Sequence, residues 1–202
     1  MADSAPTIDF YWDLGSTNTY FALKLLPPLA ERYGAVIAWH PFNLGYVFQS
    51  NQYQLMQEPK DKLNNRLVDL QRWANKYNLP FQRPSHFPIK TARALRGALA
   101  MRTLDLEIPF INAIFTEYWE RDNGAIGDYV ELRKVAVQLG VDADEFESLS
   151  ESEPVRQQLI DSTNTARAHG VFGAPSMIVD GELYWGKDRM EFIEDHLKAL
   201  VT

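Results

Sequence analysis

The sequence predicts an α/β protein with the element order βαβ, a long helical segment, and then ββα. Two apolar, strand-like segments at residues 8–14 and 35–42 enclose one helical segment. Residues 43–170 contain several helical stretches and almost no strand-like alternation. Strand character returns over residues 174–185. This order predicts a sheet built from both ends of the chain, interrupted by a large all-helical insertion.

The first three elements form a βαβ unit. Residues 8–14 (IDFYWDL) are apolar and aromatic, as in a buried strand of a mixed or parallel sheet. Residues 15–19 (GSTNT) are rich in helix N-cap residues, and leucines recur at helical spacing over residues 20–32. The pair Pro27-Pro28 predicts that this helix is kinked or divided. Residues 35–42 supply the second strand after a right-handed crossover.

The helical insertion is predicted from apolar stripes along its sequence. The stripes place helices over residues 61–77, 91–103, 108–119, 127–139 and 154–169. No strand is predicted among them.

The carboxyl-terminal unit is predicted as a hairpin and a helix. Asp180-Gly181 lies between two short apolar segments, which is a strong hairpin signal, and residues 189–200 form the last helix. The complete order is that of a thioredoxin-like fold. We therefore predict a discontinuous thioredoxin-like domain, residues 1–42 and 171–202, and a helical insertion domain, residues 43–170.

Composition excludes several functions. The 202 residues include 20 Lys and Arg, 27 Asp and Glu and no Cys, which gives a formal net charge of −7. An acidic surface argues against nucleic-acid binding, and the lack of Cys excludes disulfides, Cys-ligated zinc and dithiol redox chemistry. The four His have no metal-ligand spacing, so no metal site is predicted. No apolar run is long enough to cross a membrane and the first residues (MADSAPT) are unlike a leader, so a cytoplasmic location is expected.

Two separate turns carry candidate functional residues. Ser16 lies where the first strand passes into the first helix, and there free backbone N–H groups and the helix dipole favour an anion. A simple capping role for Ser16 or Thr17 is the alternative. In the second turn, residues 171–176 (VFGAPS), Pro175 directly precedes a strand, which fits a cis peptide that leaves the backbone of Ala174 free for a peptide-like ligand. A trans proline in an ordinary loop is the alternative there.

A concentrated basic region is a further candidate feature of this acidic chain. Its members are Lys60, Lys62, Arg66, Lys90, Arg93 and Arg96. Lys62 and Arg66 share one helix face, as do Arg93 and Arg96, at spacings of four and three residues. Such faces can clamp a small carboxylate or can simply be solvated, and the sequence leaves both interpretations open.

Four segments resemble the 2-hydroxychromene-2-carboxylate isomerase family, which is related to kappa-class glutathione transferases and to DsbA-type oxidoreductases. They are residues 9–13 (DFYWD) followed by Ser16, residues 68–74 (VDLQRWA), residues 170–175 (GVFGAP) and residues 184–189 (YWGKDR). The resemblance spans essentially the whole chain. Its specific signature is the Ser16 turn combined with the distant V-F-G-x-P turn, and the W-G-x-D-R ending adds to it.

The resemblance implies a glutathione site. Ser16 matches the catalytic serine of the family, whose hydroxyl hydrogen-bonds the glutathione sulfur. Pro175 matches the cis-proline, with Ala174 offering its backbone to the cysteinyl part of glutathione. Asp188 and Arg189 match the loop that binds the γ-glutamyl end.

The rest of the implied site comes from the basic region and the aromatic residues. Lys62, together with Lys60, matches the region near the glycine carboxylate. The resemblance puts Trp185 beside the γ-glutamyl loop, and Trp185 and Trp12 are expected to line the cleft. Lys90 stands where the family pattern has Asn.

The implied function is a glutathione-dependent isomerase in aromatic catabolism, in which bound glutathione thiolate held by Ser16 adds reversibly to a small aromatic carboxylate. A kappa-like glutathione transferase or peroxidase acting on electrophilic substrates is the alternative of the same class. A non-catalytic thioredoxin-fold module that binds a peptide or an acidic partner is the alternative of another class. Relatives are commonly homodimers, so a homodimer is expected.

Overall fold

A four-stranded mixed sheet joins the two ends of the chain in the computed structural model, which describes residues 5–54 and 57–201. The strands are β1 (Thr7–Trp12), β2 (Val36–Pro41), β3 (Ser176–Val179) and β4 (Glu182–Trp185), in the order β2-β1-β3-β4. β1 is parallel to β2 and antiparallel to β3, and β3 is antiparallel to β4. The prediction of a thioredoxin-like α/β fold with a helical insertion is confirmed. The prediction drawn from the first residues falls largely on residues 1–4, which lie outside the described residues.

The described residues also form nine α-helices and one 3-10 turn. They are α1 (Thr17–Arg32), α2 (Leu44–Ser50), α3 (Lys60–Lys76), α4 (Ala92–Arg102), α5 (Glu107–Trp119), the 3-10 turn Gly124–Gly127, α6 (Tyr129–Gln138), α7 (Ala143–Glu151), α8 (Glu153–Ala168) and α9 (Met190–Leu200). The five helices predicted in the insertion are α3, α4, α5, α6 and α8, with nearly the predicted ends. None of the helices in the described part of the chain is both long and apolar enough to span a membrane.

The first helix decides between the two predicted effects of its prolines. α1 runs unbroken through Pro27 and Pro28, so the division is wrong, while a kink stays a prediction. Two prolines remove two backbone donors from the helix. The helix nevertheless continues because its leucines on both sides, Leu26 and Leu29, are buried in the core, while Pro28 is exposed.

One hydrophobic cluster joins the sheet to the insertion. Phe10 and Trp12 of β1 belong to the same buried cluster as Leu95 of α4 and Phe115 of α5. The rings of Trp12 and Phe115 lie 5.9 Å apart. Trp12 is therefore fully buried, and the expectation that it lines a cleft is wrong, because its position on β1 turns it into the core. The boundaries at residues 42 and 171 stay a prediction.

Candidate active site

Ser16 lies at the amino terminus of α1. Its backbone is extended (φ −92°, ψ 115°), and its Oγ accepts a hydrogen bond from the backbone N–H of Thr19 at 3.3 Å, which is N-cap geometry. The next two backbone N–H groups, of Thr17 and Asn18, have no acceptor among the described residues. The first turn of α1 contains no acidic side chain. This helix end therefore presents unpaired donors and a positive dipole end, which favour an anion.

The turn before β3 meets Ser16 directly. The Ser16 Oγ donates a hydrogen bond to the carbonyl oxygen of Ala174 at 2.7 Å. The Ala174-Pro175 peptide is cis, as predicted, and the carbonyl of Pro175 accepts a hydrogen bond from the Gly186 N–H at 3.0 Å. The structure thus brings together the two turns that the sequence singled out, 158 residues apart.

A buried carboxylate supports the Ser16 turn from below. Asp13, at 1% exposure, accepts hydrogen bonds from the N–H of Gly15 (2.7 Å), the N–H of Leu44 (2.9 Å) and the hydroxyl of Thr91 (3.1 Å). Burial raises the pKa of Asp13 to about 6, and these three hydrogen bonds oppose the rise. The backbone carbonyl of Asp13 also accepts from the Ser16 N–H at 3.1 Å.

The segment after β4 adds an aromatic and a charged surface. The Trp185 side chain is 48% exposed and its ring lies 5.0 Å from that of Phe172. Gly173 packs closely against Trp185 only because it has no side chain, since a Cβ there would lie 2.7 Å from Trp185 Nε1. Arg189 and Asp188 form an ion pair at 3.2 Å. A paired carboxylate and guanidinium suit a ligand group that carries both charges, such as an α-amino acid.

The segment after β4 contacts helix α3 through Lys187, and the lysines of α3 itself take no part in this contact. The buried Lys187 Nζ lies 3.4 Å from Asp69 Oδ2 and 4.7 Å from the ring centroid of Trp73, both on α3. Lys62 pairs with Glu58 at 3.0 Å, and Lys60 is exposed. No contact between either lysine and Ser16 is found in the described part of the chain, so their ligand roles stay predictions.

The three arginines of the basic region all have acidic partners, and Arg66 pairs with Glu58 beside Lys62. Arg96 forms an ion pair with Glu151 and donates to the carbonyl of Ser150 at 3.2 Å. Arg93 pairs with Asp128. These contacts tie α4 to the following helices, which favours the structural interpretation of this helix face over a ligand clamp.

Sequence reasoning did not give Asp13, Thr91 or Lys187 a role in the site. The signal for Asp13 was an acidic residue in an apolar strand segment, since an acidic side chain there must be hydrogen-bonded. Thr91 and Lys187 gave no comparable signal, because their partners come from distant parts of the chain.

Comparisons with known proteins agree with this fold. Residues 7–198 match the family model of the DSBA-like thioredoxin domain. A 2-hydroxychromene-2-carboxylate isomerase of Sphingobium xenophagum is 34% identical over 197 residues, covering 95% of this chain and 97% of the relative. The solved structure of a 2-hydroxychromene-2-carboxylate isomerase has a TM-score of 0.83 at 29% identity, covering 96% of this chain and 95% of that chain. Glutathione S-transferase kappa 1 of Caenorhabditis elegans is 26% identical, covering 96% of this chain and 91% of the relative.

The fold and the family match define the class as the DSBA-like thioredoxin domain. Within this class, the chain belongs to the family of 2-hydroxychromene-2-carboxylate isomerases. The resemblance predicted from the sequence is thereby confirmed, and so is the prediction that the protein is an enzyme.

Proposed function

We propose that the protein is a glutathione-dependent isomerase of the 2-hydroxychromene-2-carboxylate isomerase type, and that Ser16 holds the glutathione sulfur. One observation carries this proposal. The Ser16 hydroxyl lies at the amino terminus of α1 and meets the Ala174 carbonyl beside a cis-proline, in a chain that has no Cys. Because the chain has no Cys, no thiol of its own lies at the positive amino terminus of α1. The thiol of a bound ligand could take this position.

The residues around Ser16 fit a short peptide that carries a thiol. Ala174 directly precedes Pro175, and its carbonyl oxygen, which here accepts from the Ser16 hydroxyl, is of the kind that accepts from the N–H of an extended peptide-like ligand. The ion pair of Asp188 and Arg189 offers partners of both signs for the α-amino acid end of glutathione. Lys60 and Lys62 are assigned to the glycine carboxylate, and Trp185 to the wall of the cleft.

The Ser16 hydroxyl has only one proton to donate, and in this structure it donates that proton to Ala174. It must therefore leave the Ala174 carbonyl before it can donate to a sulfur atom. A peptide ligand that donates its own N–H to Ala174 would replace the hydroxyl there. Ligand binding and release of the Ser16 hydroxyl are then one exchange of hydrogen bonds.

Glutathione would supply a thiolate that adds reversibly to an electrophilic carbon of the aromatic substrate and is released unchanged. Lowering a thiol pKa from ~8.5 to ~6.5 raises the ionised fraction at neutral pH from a few per cent to most of the population, and requires ~2.7 kcal/mol. A helix amino terminus contributes up to ~2 kcal/mol and a charge-assisted hydrogen bond ~1.5–3 kcal/mol. Ser16 and α1 together therefore suffice for this shift.

The proposal is tested by titrating glutathione into the wild type and Ser16→Ala by calorimetry, with thiolate absorbance followed against pH. We expect binding with a lowered thiol pKa in the wild type, and a thiol pKa near that of the free tripeptide in Ser16→Ala. Ser152→Ala is the matched control, because the Ser152 hydroxyl donates within the α7–α8 junction. If glutathione fails to bind the wild type at millimolar concentration, the proposal fails and the binding-module alternative gains support.

A kappa-like transferase or peroxidase is the second candidate, and the 26% identity to glutathione S-transferase kappa 1 over 96% of the chain favours it. The two activities differ in the fate of glutathione. Isomerisation of a hydroxychromene carboxylate leaves the glutathione concentration unchanged, whereas conjugation of an aryl halide or reduction of a peroxide consumes it. The cytoplasmic location and the homodimer stay predictions.

A further inference from the structure

The carboxylate of Asp13 occupies an unusual position. It is buried at the end of β1, three residues before Ser16, and it forms no ion pair with any of the described residues. Buried carboxylates without a cation partner are costly, so they are retained where their hydrogen bonds matter.

The three donors to Asp13 come from three separate segments. Gly15 belongs to the turn that carries Ser16, Leu44 is the first residue of α2, and Thr91 directly precedes α4. We call these four residues the Asp13 cluster. Packing in it is tight, since a Cβ on Gly15 would lie 3.2 Å from Thr91 Cγ2 and 3.3 Å from Asp13 Oδ1. The cluster therefore fixes the Ser16 turn to both helices.

Only a carboxylate satisfies this arrangement. The Gly15 N–H donates to one oxygen of Asp13 and the Leu44 N–H donates to the other. An asparagine side chain has a single oxygen, and its NH₂ group is a donor. In either orientation of that amide, its NH₂ group would face one of the two backbone N–H groups, so that two donors would meet.

We propose that Asp13 is a positioning residue for the Ser16 hydroxyl. Its carboxylate holds the Gly15–Ser16 turn against α2 and α4, so that the hydroxyl and the amino terminus of α1 both face the position proposed for the glutathione sulfur. This inference rests on the proposed role of Ser16. Asp13 itself touches no substrate, because it is buried beneath the turn.

The protonation of Asp13 should change the structure of the turn at a pH that can be reached in experiments. Burial raises its pKa to about 6, and the Thr91 hydroxyl lowers it. The titratable group that faces it from α5 is Tyr118, whose pKa is raised mainly by burial and in part by the charges of Asp122 and Asp13. Protonation of Asp13 weakens its acceptance of the two backbone N–H groups, so the turn loosens as the pH falls through about 6.

The first experiment uses the unliganded protein, with an NMR pH titration of the backbone amides of Gly15 and Leu44. We expect both amides to share one inflection near pH 6, to move it upward in Thr91→Val, and to lose it in Asp13→Asn. Thr91→Val keeps the carboxylate and both backbone contacts. Independent or absent inflections in the wild type would overturn the cluster as a single unit.

The second experiment measures the thiol pKa of bound glutathione and the affinity for S-methylglutathione, which has no thiol proton. Asp13→Asn is expected to raise the thiol pKa and to lower kcat by about tenfold or more with little change in KM, while S-methylglutathione binds nearly as before. Asp9→Asn is the matched control, because Asp9 lies on β1, four residues before Asp13, and is partly exposed beside His40.

The outcomes separate the two proposals. If the wild type does not bind glutathione, the proposed function fails, whereas the amide titration still reports on the Asp13 cluster. If the wild type binds with a lowered thiol pKa and Asp13→Asn does the same, the positioning role of Asp13 is wrong and the proposed function stands.

Discussion

At the scale of single residues, the site is built on a carboxylate that costs stability. Asp13 has a pKa of about 6 in the folded protein, against an ordinary value of 3.8. Between these values the folded protein retains a proton that the unfolded chain has lost. The free energy of unfolding that depends on Asp13 therefore falls as the pH rises from about 4 to about 6, by about 3 kcal/mol in all. A group retained at such a cost is typical of functional sites.

This predicts how Asp13→Asn changes stability with pH. The variant loses the desolvated charge but leaves one buried N–H unpaired, which costs ~1–3 kcal/mol. In urea unfolding, the free energy of unfolding of the variant should therefore rise relative to that of the wild type between pH 4 and pH 6. At neutral pH the two proteins should have similar free energies of unfolding. In Thr91→Val the decrease in the free energy of unfolding should continue to higher pH, because the variant lacks a hydrogen-bond donor that lowers the pKa of Asp13. Parallel pH profiles of wild type and Asp13→Asn would contradict this prediction.

At the scale of elements, periodicity predicted the long helices and failed on the short ones. α2 was missed because its seven residues are too few to show a stripe. α7 was missed although Asp142 followed by Glu145 is a capping signal, and Asp142 does accept from the N–H groups of Asp144 and Glu145. The unbroken α1 shows that core packing outweighed the local effect of Pro27 and Pro28, and sequence patterns do not measure packing.

Helix α3 differs from the other long helices in how little of it is buried. Only Leu70 and Ala74 of its 17 residues are buried, whereas α5 buries six of 13. Packing supplies most of the stability of protein helices. We therefore predict that hydrogen exchange is faster in α3 than in α5, and that Asp69→Asn, which removes the partner of Lys187, speeds it further.

The same exchange measurement tests the assignment of Lys60 and Lys62. If these lysines bind the glycine carboxylate, glutathione should slow exchange in the first turns of α3, and the effect should disappear in a Lys60→Ala, Lys62→Ala variant. If glutathione slows exchange as much in the double variant as in the wild type, residues other than Lys60 and Lys62 bind the glycine carboxylate. Glutathione lacking its glycine, γ-glutamylcysteine, is the matched ligand control, because it should give no protection there.

At the scale of the whole molecule, the site is formed where the two ends of the chain meet the insertion. The resemblance brought Ser16 and Pro175 together correctly, since both lie in turns with strong local signals. It could not place Trp12, whose burial depends on Phe115 of α5, or Arg93 and Arg96 of α4, whose acidic partners lie more than 30 residues away. Contacts between distant segments have no local pattern, and they decide which polar residues are free to bind a ligand.

Trp119 shows how the insertion and the site depend on each other. At the end of α5 it is buried, and its Nε1 donates to the carbonyl of Leu14, two residues before Ser16, at 2.9 Å. The next residue, Glu120, accepts from Tyr20 and pairs with Lys24, both on α1. The end of α5 thus holds the turn and the helix that carry the site.

This arrangement predicts that the thioredoxin-like and helical parts unfold together. Urea unfolding followed by circular dichroism, which reports mainly on the helices, and by the amide signals of β1 should give one shared transition, because one cluster contains both parts. Trp119→Phe should lower the free energy of unfolding by ~2–4 kcal/mol, since it leaves a cavity and an unpaired Leu14 carbonyl. The two transitions should still coincide in the variant. If they separate in the wild type, the helical insertion is an independent folding unit, and the shared cluster does not couple its stability to that of the Ser16 turn.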